Sequence, residues 1–372
     1  MKEIDADELK RKLELGEPVA VVDIREASEY VDWHIHNSIS FPVYSALKAG
    51  NVGAVSTRVD TLPDDRPLVV VCNRGNTSKL AASILESGGF EAYSLIGGMR
   101  GWSTVWSEAR LVQTGKGCTA IIQVRRNGKG CLSYMFGSNG EAAVVDPCVD
   151  GSVYVKIAER EDLRITHVFD THVHADHISR GQSLARATGA RYFLPANERV
   201  TYSFSPLYDK DRLDFRQAMM ESVVTPGHTE ESTCYLINGE TLLTGDTLFV
   251  ESVGRPDLEK GDAGADAGAR MLYKSLHEKL LALSRNVQVL PGHYSKPLGF
   301  DGVPVAASLG ELIPKLEMLS LDEQAFVRTV LSNLGLKPPN FHAVIAVNEG
   351  RLNSAEIDTL DIEAGPNRCA IR

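Results

Sequence analysis

The sequence predicts two successive domains of mixed α and β structure: a parallel α/β domain, then a layered α/β fold carrying a metal site. Length is the first reason, because 372 residues exceed what a single hydrophobic core usually supports. The second is a change of pattern near residue 115, from strands alternating with helices to strands joined by tight turns. The third is a set of apolar runs in the later half that each end in His or Asp, which suits a site built on strand ends.

In the first hundred residues, AVVDI at 20–24, PLVVVC at 67–72 and AYSLI after residue 91 are β-branched runs, and the amphipathic TSKLAASILESGG lies between the last two. Residues 108–117, EARLVQTGKG, are polar and mark the expected boundary. Beyond it CTAIIQV, CLSYMFG and AAVVDP read as strands separated by the turns RNGKG and GSNGE, hence antiparallel hairpins. ITHVFDT, ESVVTPG, TLLTGD and VQVLPG follow as the strands that carry the site. GDAGADAGAR at 261–270 reads as a loop opening a helix, and LGELIPKLEMLSLDEQAFVRTVLSNLGL as a helical stretch. We expect the first domain over residues 1–110, the second over 111–315, and a C-terminal extension over 316–372 packed on the second.

Composition excludes several function classes. Acids outnumber bases 49 to 39 and the net charge is -10, so the chain lacks the basic excess of a nucleic-acid binder. No apolar run approaches the ~20 residues that span a bilayer, and the charged start MKEIDADELKRKLELGEP is not a signal peptide. The expected location is cytoplasmic, without membrane or nucleic-acid partners. Six scattered cysteines with no CxxC pair (Cys72, Cys118, Cys131, Cys148, Cys234, Cys369) fit neither a disulfide framework nor a zinc ribbon. A homodimer is the common default for such folds.

VVVCNRGNTSKLAAS places Cys72 at the end of a buried strand, followed by a short loop and a helix beginning near Ser78. Backbone amides and the positive end of a helix converge there, and both stabilise a thiolate. Gly75 permits the tight turn, and Arg74 offers a charge to an anionic substrate. CNRGNTS resembles the C-x-x-G-x-x-S loop of the rhodanese family, as VVDIREASEYVDWHIHNSISFP and LIGGMRGW resemble two further segments of that family. The resemblance implies a rhodanese-like sulfurtransferase in which Cys72 carries sulfane sulfur as a persulfide. Asn73, Gly75, Asn76, Thr77 and Ser78 would cradle the substrate, while Asp23 and Arg25 hold the loop and sheet in place.

DTHVHADHISRG packs His172, His174, Asp176 and His177 into six positions directly after a strand. Such a cluster is costly as core filling and favourable around a metal ion. His228 in TPGHTEES, Asp246 in LLTGDTLF and His293 in LPGHYSKP extend the set, each after a glycine. With no thiolate nearby in sequence, zinc, iron or manganese all fit. HVHADH, PGHT, TGDT and PGH in this order resemble the metallo-β-lactamase superfamily, which implies an αββα sandwich. His34, His36, His167, His277 and His342 lack such neighbours and read as surface or core histidines.

LFVESVGRPDLEKGDAG and LSNLGLKPPNFHAVIAVNEG resemble segments of the branch that holds persulfide dioxygenases and glyoxalase II. That resemblance implies one Fe(II) held by His172, His228 and Asp246, with His174, Asp176, His177 and His293 as supporting groups or a second metal site. The implied reaction oxidises a thiol persulfide, such as glutathione persulfide, with O2 to sulfite; thiosulfate or sulfite would be the sulfurtransferase partner. Arg255 either orients substrate or forms a structural ion pair. PGHYSKP departs from the H-D-Y or H-E-Y of many relatives, which leaves open whether Tyr294 contacts the thiol. The same donor set also suits a dinuclear zinc thioester hydrolase.

Overall fold

The computed structural model describes residues 2–111, 120–215 and 218–371. The expected strand start at Cys118 lies outside them. In the first domain, β1 (Lys2–Ile4), β2 (Ala20–Asp23), β3 (Ile39–Ser40), β4 (Leu68–Val71) and β5 (Ala92–Leu95) form one sheet in the order β1-β5-β4-β2-β3. Every pairing in it is parallel. Alternation along the strands divides the core: Val22 and Val70 pack with Ala81, Ala82 and Leu85 on one face, while Val21, Val69 and Val71 pack with Leu9 and Trp102 on the other. Each such valine or leucine removed from water is worth roughly 1.5–3 kcal/mol.

The second domain is an αββα sandwich. One sheet comprises β6 (Ser107–Leu111), β7 (Ile121–Arg126), β8 (Cys131–Ser138), β9 (Glu141–Val145), β10 (Arg164–Phe169), β11 (Arg191–Pro195) and β12 (Ser205–Leu207), hydrogen-bonded in sequence order. Its β6 to β9 half is antiparallel and its β9 to β12 half parallel. The facing sheet comprises β13 (Arg212–Phe215), β14 (Ala218–Val224), β15 (Thr233–Ile237), β16 (Thr241–Gly245), β17 (Gln288–Pro291) and β18 (Ala307–Ser308). Tyr134, Phe136, Phe169 and Phe193 meet Phe215, Tyr235, Leu243 and Leu290 between the sheets. Helices Gly151–Arg160 and Gly181–Thr188 cover the outer face of the first sheet, and helices Gly261–Lys274, Leu309–Lys315 and Glu323–Ser332 that of the second.

Three sequence expectations change. Residues 107–111 are not linker but the edge strand β6, paired antiparallel with β7. Ser107 and Ala109 point inward, whereas Glu108 and Arg110 reach out to Arg160 and Glu161, so the polar composition reflects one exposed face. GDAGADAGAR is entirely helical, within Gly261–Lys274. Its small residues allow close packing: a Cβ on Gly268 would lie 2.8 Å from that of Pro256. The 309–336 stretch is three pieces, because the helix containing Pro314 ends at Lys315 and a 3-10 turn at Glu317–Ser320 precedes Glu323–Ser332. Among the described residues no helix is long and apolar enough to cross a membrane.

Candidate functional site

The ends of β10, β14, β16 and β17 point to one edge of the sandwich, and the segments leaving them bring the predicted donors together. His172 Nε2, His228 Nε2 and an Asp246 carboxylate oxygen lie within 4.8 Å of one another, all buried. Asp246 Oδ2 is 3.7 Å from His172 Nε2 and 3.5 Å from His228 Nε2. Donors about 2.1 Å from a common ion stand about 3–3.4 Å apart, so a metal fits among them with little adjustment. None of these three atoms has a hydrogen-bond partner. A buried polar atom left without a partner is costly, and three converging on one point are explained by a cation.

Neighbouring groups fix which atom each residue presents. His228 Nδ1 lies 2.7 Å from the Arg255 carbonyl, which it reaches only as an N–H donor, leaving Nε2 as the lone-pair nitrogen. His172 Nδ1 lies 2.9 Å from Thr171 Oγ1, and His293 Nδ1 2.6 Å from Asp246 Oδ1, so Asp246 keeps Oδ2 for the ion. Burial, reinforced by the charge on His174, holds the His172 imidazole well below its ordinary pKa, hence neutral and ready to ligate. Backbone shape matters as well: a Cβ on Gly254 would come within 1.9 Å of the Asp246 carbonyl oxygen, and one on Gly292 within 2.7 Å of Asp246 Oδ1.

A second cluster adjoins the first: Asp176, His177 and His293, with Cys131. His177 is lowered to about 4 by burial and by His174, and its Nε2 is unpartnered. His293 Nε2 stands 2.9 Å from Asp176 Oδ2 without hydrogen-bond alignment. His174 turns the other way, with Nε2 3.2 Å from Asp146 Oδ1, while its Nδ1 is unpartnered. A cavity of about 200 Å³ borders His228, with Pro256, Lys260, Gly264 and Met271 among its walls.

In the first domain Cys72 follows β4 and is buried. Its thiol donates to Ser78 Oγ, and its sulfur accepts from the Ser78 amide, both at 3.4 Å. Ser78 and Thr77 start the helix Thr77–Ser87, with Asn76 at its N-cap. Gly75 has φ +80°, and a Cβ there would lie 2.8 Å from the Gly97 nitrogen. Asn73 Nδ2 donates to Glu29 at 2.8 Å, and the exposed Arg74 pairs with Asp361 at 3.1 Å. Arg25 grips the Asp23 carboxylate and the Trp33 carbonyl, joining two segments of the sheet edge.

Comparison with known proteins places both halves. The rhodanese-like domain profile matches residues 5–104 and the metallo-β-lactamase superfamily profile residues 126–293. Hydroxyacylglutathione hydrolase of Methylococcus capsulatus is 31% identical over 201 residues, which cover 52% of this chain and 75% of that protein. The chain belongs to the metallo-β-lactamase superfamily. A rhodanese-like domain precedes that fold, and the metal domain is related to the persulfide dioxygenase branch. The mitochondrial persulfide dioxygenase ETHE1 of Bos taurus is 29% identical over 239 residues, 61% of this chain and 86% of that protein. The crystal structure of ETHE1 from Myxococcus xanthus superposes with a TM-score of 0.54 at 28% identity, covering 62% of this chain and 97% of that one.

Within the metallo-β-lactamase domain, Arg255 is buried beside a cavity of about 220 Å³ that Asn367 and Arg368 also border. All five of its N–H donors are engaged: two with Asp257, and the rest with the carbonyls of Leu336, Arg368 and Gly335. It fastens the C-terminal extension and lends its own carbonyl to His228. Tyr294 is half-buried, its amide bonded to the Gly130 carbonyl. The NEG element of the extension has a positioning role: Asn348 Nδ2 donates to the carbonyls of His174 and His177, at 2.8 Å each, and so pins the HVHADH loop.

Sequence reasoning missed Cys131 and Cys369. Cys369 lies with Asp246 and His293, and Cys131 Sγ donates to Asp176 at 3.3 Å. Burial and the surrounding acids push both thiols up, which keeps them protonated. No local spacing announces either one; only the fold brings them to the metal cluster. His167 is a half-buried histidine stacked on Phe193, outside the metal cluster.

Proposed function

We propose that this protein is an iron-dependent persulfide dioxygenase fused to a sulfurtransferase. The carrying observation is the trio of unpartnered donors on His172, His228 and Asp246, in a chain similar to persulfide dioxygenases along most of their length. The proposed overall reaction takes a thiol persulfide, O2 and water to sulfite, the free thiol and protons. Iron(II), when bound, supplies the redox capacity for O2 that zinc lacks, and two imidazoles with one carboxylate leave positions for other ligands.

The protein residues do the rest. The Arg255 carbonyl holds His228 in the ligating tautomer, Thr171 and His293 orient His172 and Asp246, and Asn348 holds the loop. Their burial keeps bulk water away from the donors. In the first domain Cys72 would hold sulfane sulfur within the Asn73 to Ser78 loop, where the Ser78 amide already addresses its sulfur. Tethering raises the local concentration of one domain's product at the other, whichever way sulfur flows.

A second reading, a zinc thioester hydrolase, is favoured by the adjoining cluster of Asp176, His177 and His293. Metal analysis of anaerobically purified protein separates the two. One iron per chain, lost in His172→Ala, supports the dioxygenase; two zinc ions per chain, with thioester cleavage, supports the hydrolase.

A further inference from the structure

The turn at residues 127–130, between β7 and β8, has two edges that serve different domains. One edge carries part of the metal cluster. The Tyr294 amide donates to the Gly130 carbonyl at 2.9 Å and the Leu132 amide to the Gly292 carbonyl at 2.8 Å, so Cys131 and His293 stand opposite each other in a short antiparallel bridge. Gly292 is held from its other side as well, its amide donating to the Gly245 carbonyl at 2.7 Å. His293 is thereby wedged between the turn and the end of β16, where its Nδ1 reaches Asp246 Oδ1 at 2.6 Å.

The opposite edge is bonded to the rhodanese-like domain. Gly128 meets it with both backbone groups: its amide donates to the Val105 carbonyl at 3.1 Å, and its carbonyl accepts from Trp33 Nε1 at 3.0 Å. Trp33 is buried, and Arg25 grips its carbonyl, so the indole arrives from a fixed backbone. The fit leaves no room for side chains. A Cβ on Gly128 would lie 2.1 Å from the Trp102 carbonyl oxygen, and one on Gly130, where φ is +91°, 2.8 Å from the Trp33 ring. The C-terminal extension adds a brace through Lys129, whose ammonium donates to the carbonyls of Glu363 and Gly365, but Gly128 itself is left to the first domain.

We propose that Trp33 is a positioning residue of the metal centre: from across the domain boundary it holds the 127–130 turn, the turn holds residues 292–294, and they keep His293 on Asp246. The inference rests on the reading of His172, His228 and Asp246 as metal ligands, and on neither domain's reaction. Without the indole, the Gly128 carbonyl loses its donor and Gly130 its covering ring, so the turn and the His293 segment gain freedom together. His293 then spends less time on Asp246 Oδ1, and the carboxylate is no longer committed to presenting Oδ2 to the ion. The first domain in this way completes the metal domain mechanically, apart from any sulfur it carries.

Competition with a chromophoric chelator for zinc, on full-length metal-free protein, reads the consequence without turnover. Trp33→Ala should weaken zinc binding at least tenfold, the scale on which partners behind metal ligands act. Trp33→Leu keeps apolar volume but cannot donate to Gly128; it should weaken zinc at least threefold, and it serves if the alanine variant does not fold. Arg100→Gln removes a different contact between the first domain and the extension, that with Asp358 and Asp361, and should leave the affinity within twofold. In metal-free protein isotope-labelled at histidine, the His293 Nδ1–H resonance, carried to low field by its short bond to Asp246, should move upfield in both Trp33 variants and stay in place in Arg100→Gln. Unchanged affinity or an unmoved resonance in a folded Trp33 variant overturns the proposal, as does an equal effect in Arg100→Gln, which would mark general loosening of the domain contact. Wild-type protein that binds no zinc, with the resonance responding as expected, would instead refute the metal reading alone.

Discussion

Replacing Glu363 by Gln removes a carboxylate that three donors address from different parts of the metal domain. Glu363 Oε1 accepts from Arg126 at 3.1 Å and from the Ile178 amide at 2.8 Å, and Oε2 accepts from Arg180 at 2.8 Å. The side chain has no exposure, and Arg126 is 2% exposed. Burial alone would raise the carboxyl pKa, but Arg126 and Arg180 outweigh it and hold it at about 2, against an ordinary 4.5. At about 1.4 kcal/mol per pH unit, that difference is ~3 kcal/mol of stability. It agrees with the 3–5 kcal/mol, roughly, expected when one partner of a buried ion pair is removed.

The sign follows from the lowered folded-state pKa. The contribution is complete above the unfolded-state value, near 4.5, and is lost as pH falls towards 2. Scanning calorimetry at pH 7 should therefore place the metal-domain transition of Glu363→Gln about 6–12 °C below wild type. The gap should close as pH is lowered from 4.5 towards 2, because only the wild type loses a charge there. A shift under about 2 °C at pH 7, or a gap that widens on acidification, would refute the reasoning.

Cys72→Ser should abolish thiosulfate:cyanide sulfur transfer while leaving metal content unchanged, since the two sites share no residue; retained transfer in a cyanide assay would contradict the loop assignment. Asp246→Ala should remove bound metal, read by elemental analysis, because it deletes the carboxylate facing both His172 and His228. Arg255→Ala should cost roughly 3–5 kcal/mol in denaturant titration, since it leaves the buried Asp257 with only Lys337, 3.5 Å away, and frees three carbonyls of the extension. A loss of substrate affinity at unchanged stability would return Arg255 to a binding role.

How much of this was legible depends on distance along the chain. HVHADH announces itself because four candidate ligands fall within six positions of one loop after a strand, and the glycines before His228, Asp246 and His293 mark the turns that aim them. CNRGNTS is legible for the same reason. Cys369 approaches Asp246 across more than a hundred residues, and Glu363 reaches Arg126 across 237, so no window of sequence contains either relation. Arg255 looked ambiguous because its partners lie partly in the extension. The edge strand β6 was hidden by its outward charges, and the helix at 261–274 by glycines whose value lies in tertiary contact rather than in local propensity.

The most direct test of the central claim is oxygen uptake by anaerobically purified, iron-loaded full-length protein on addition of glutathione persulfide, with sulfite measured in parallel. The account predicts one O2 consumed per sulfite formed, and no consumption in the Asp246→Ala variant. Iron-loaded wild-type protein that consumes no O2, or a variant that consumes it at the wild-type rate, would contradict it.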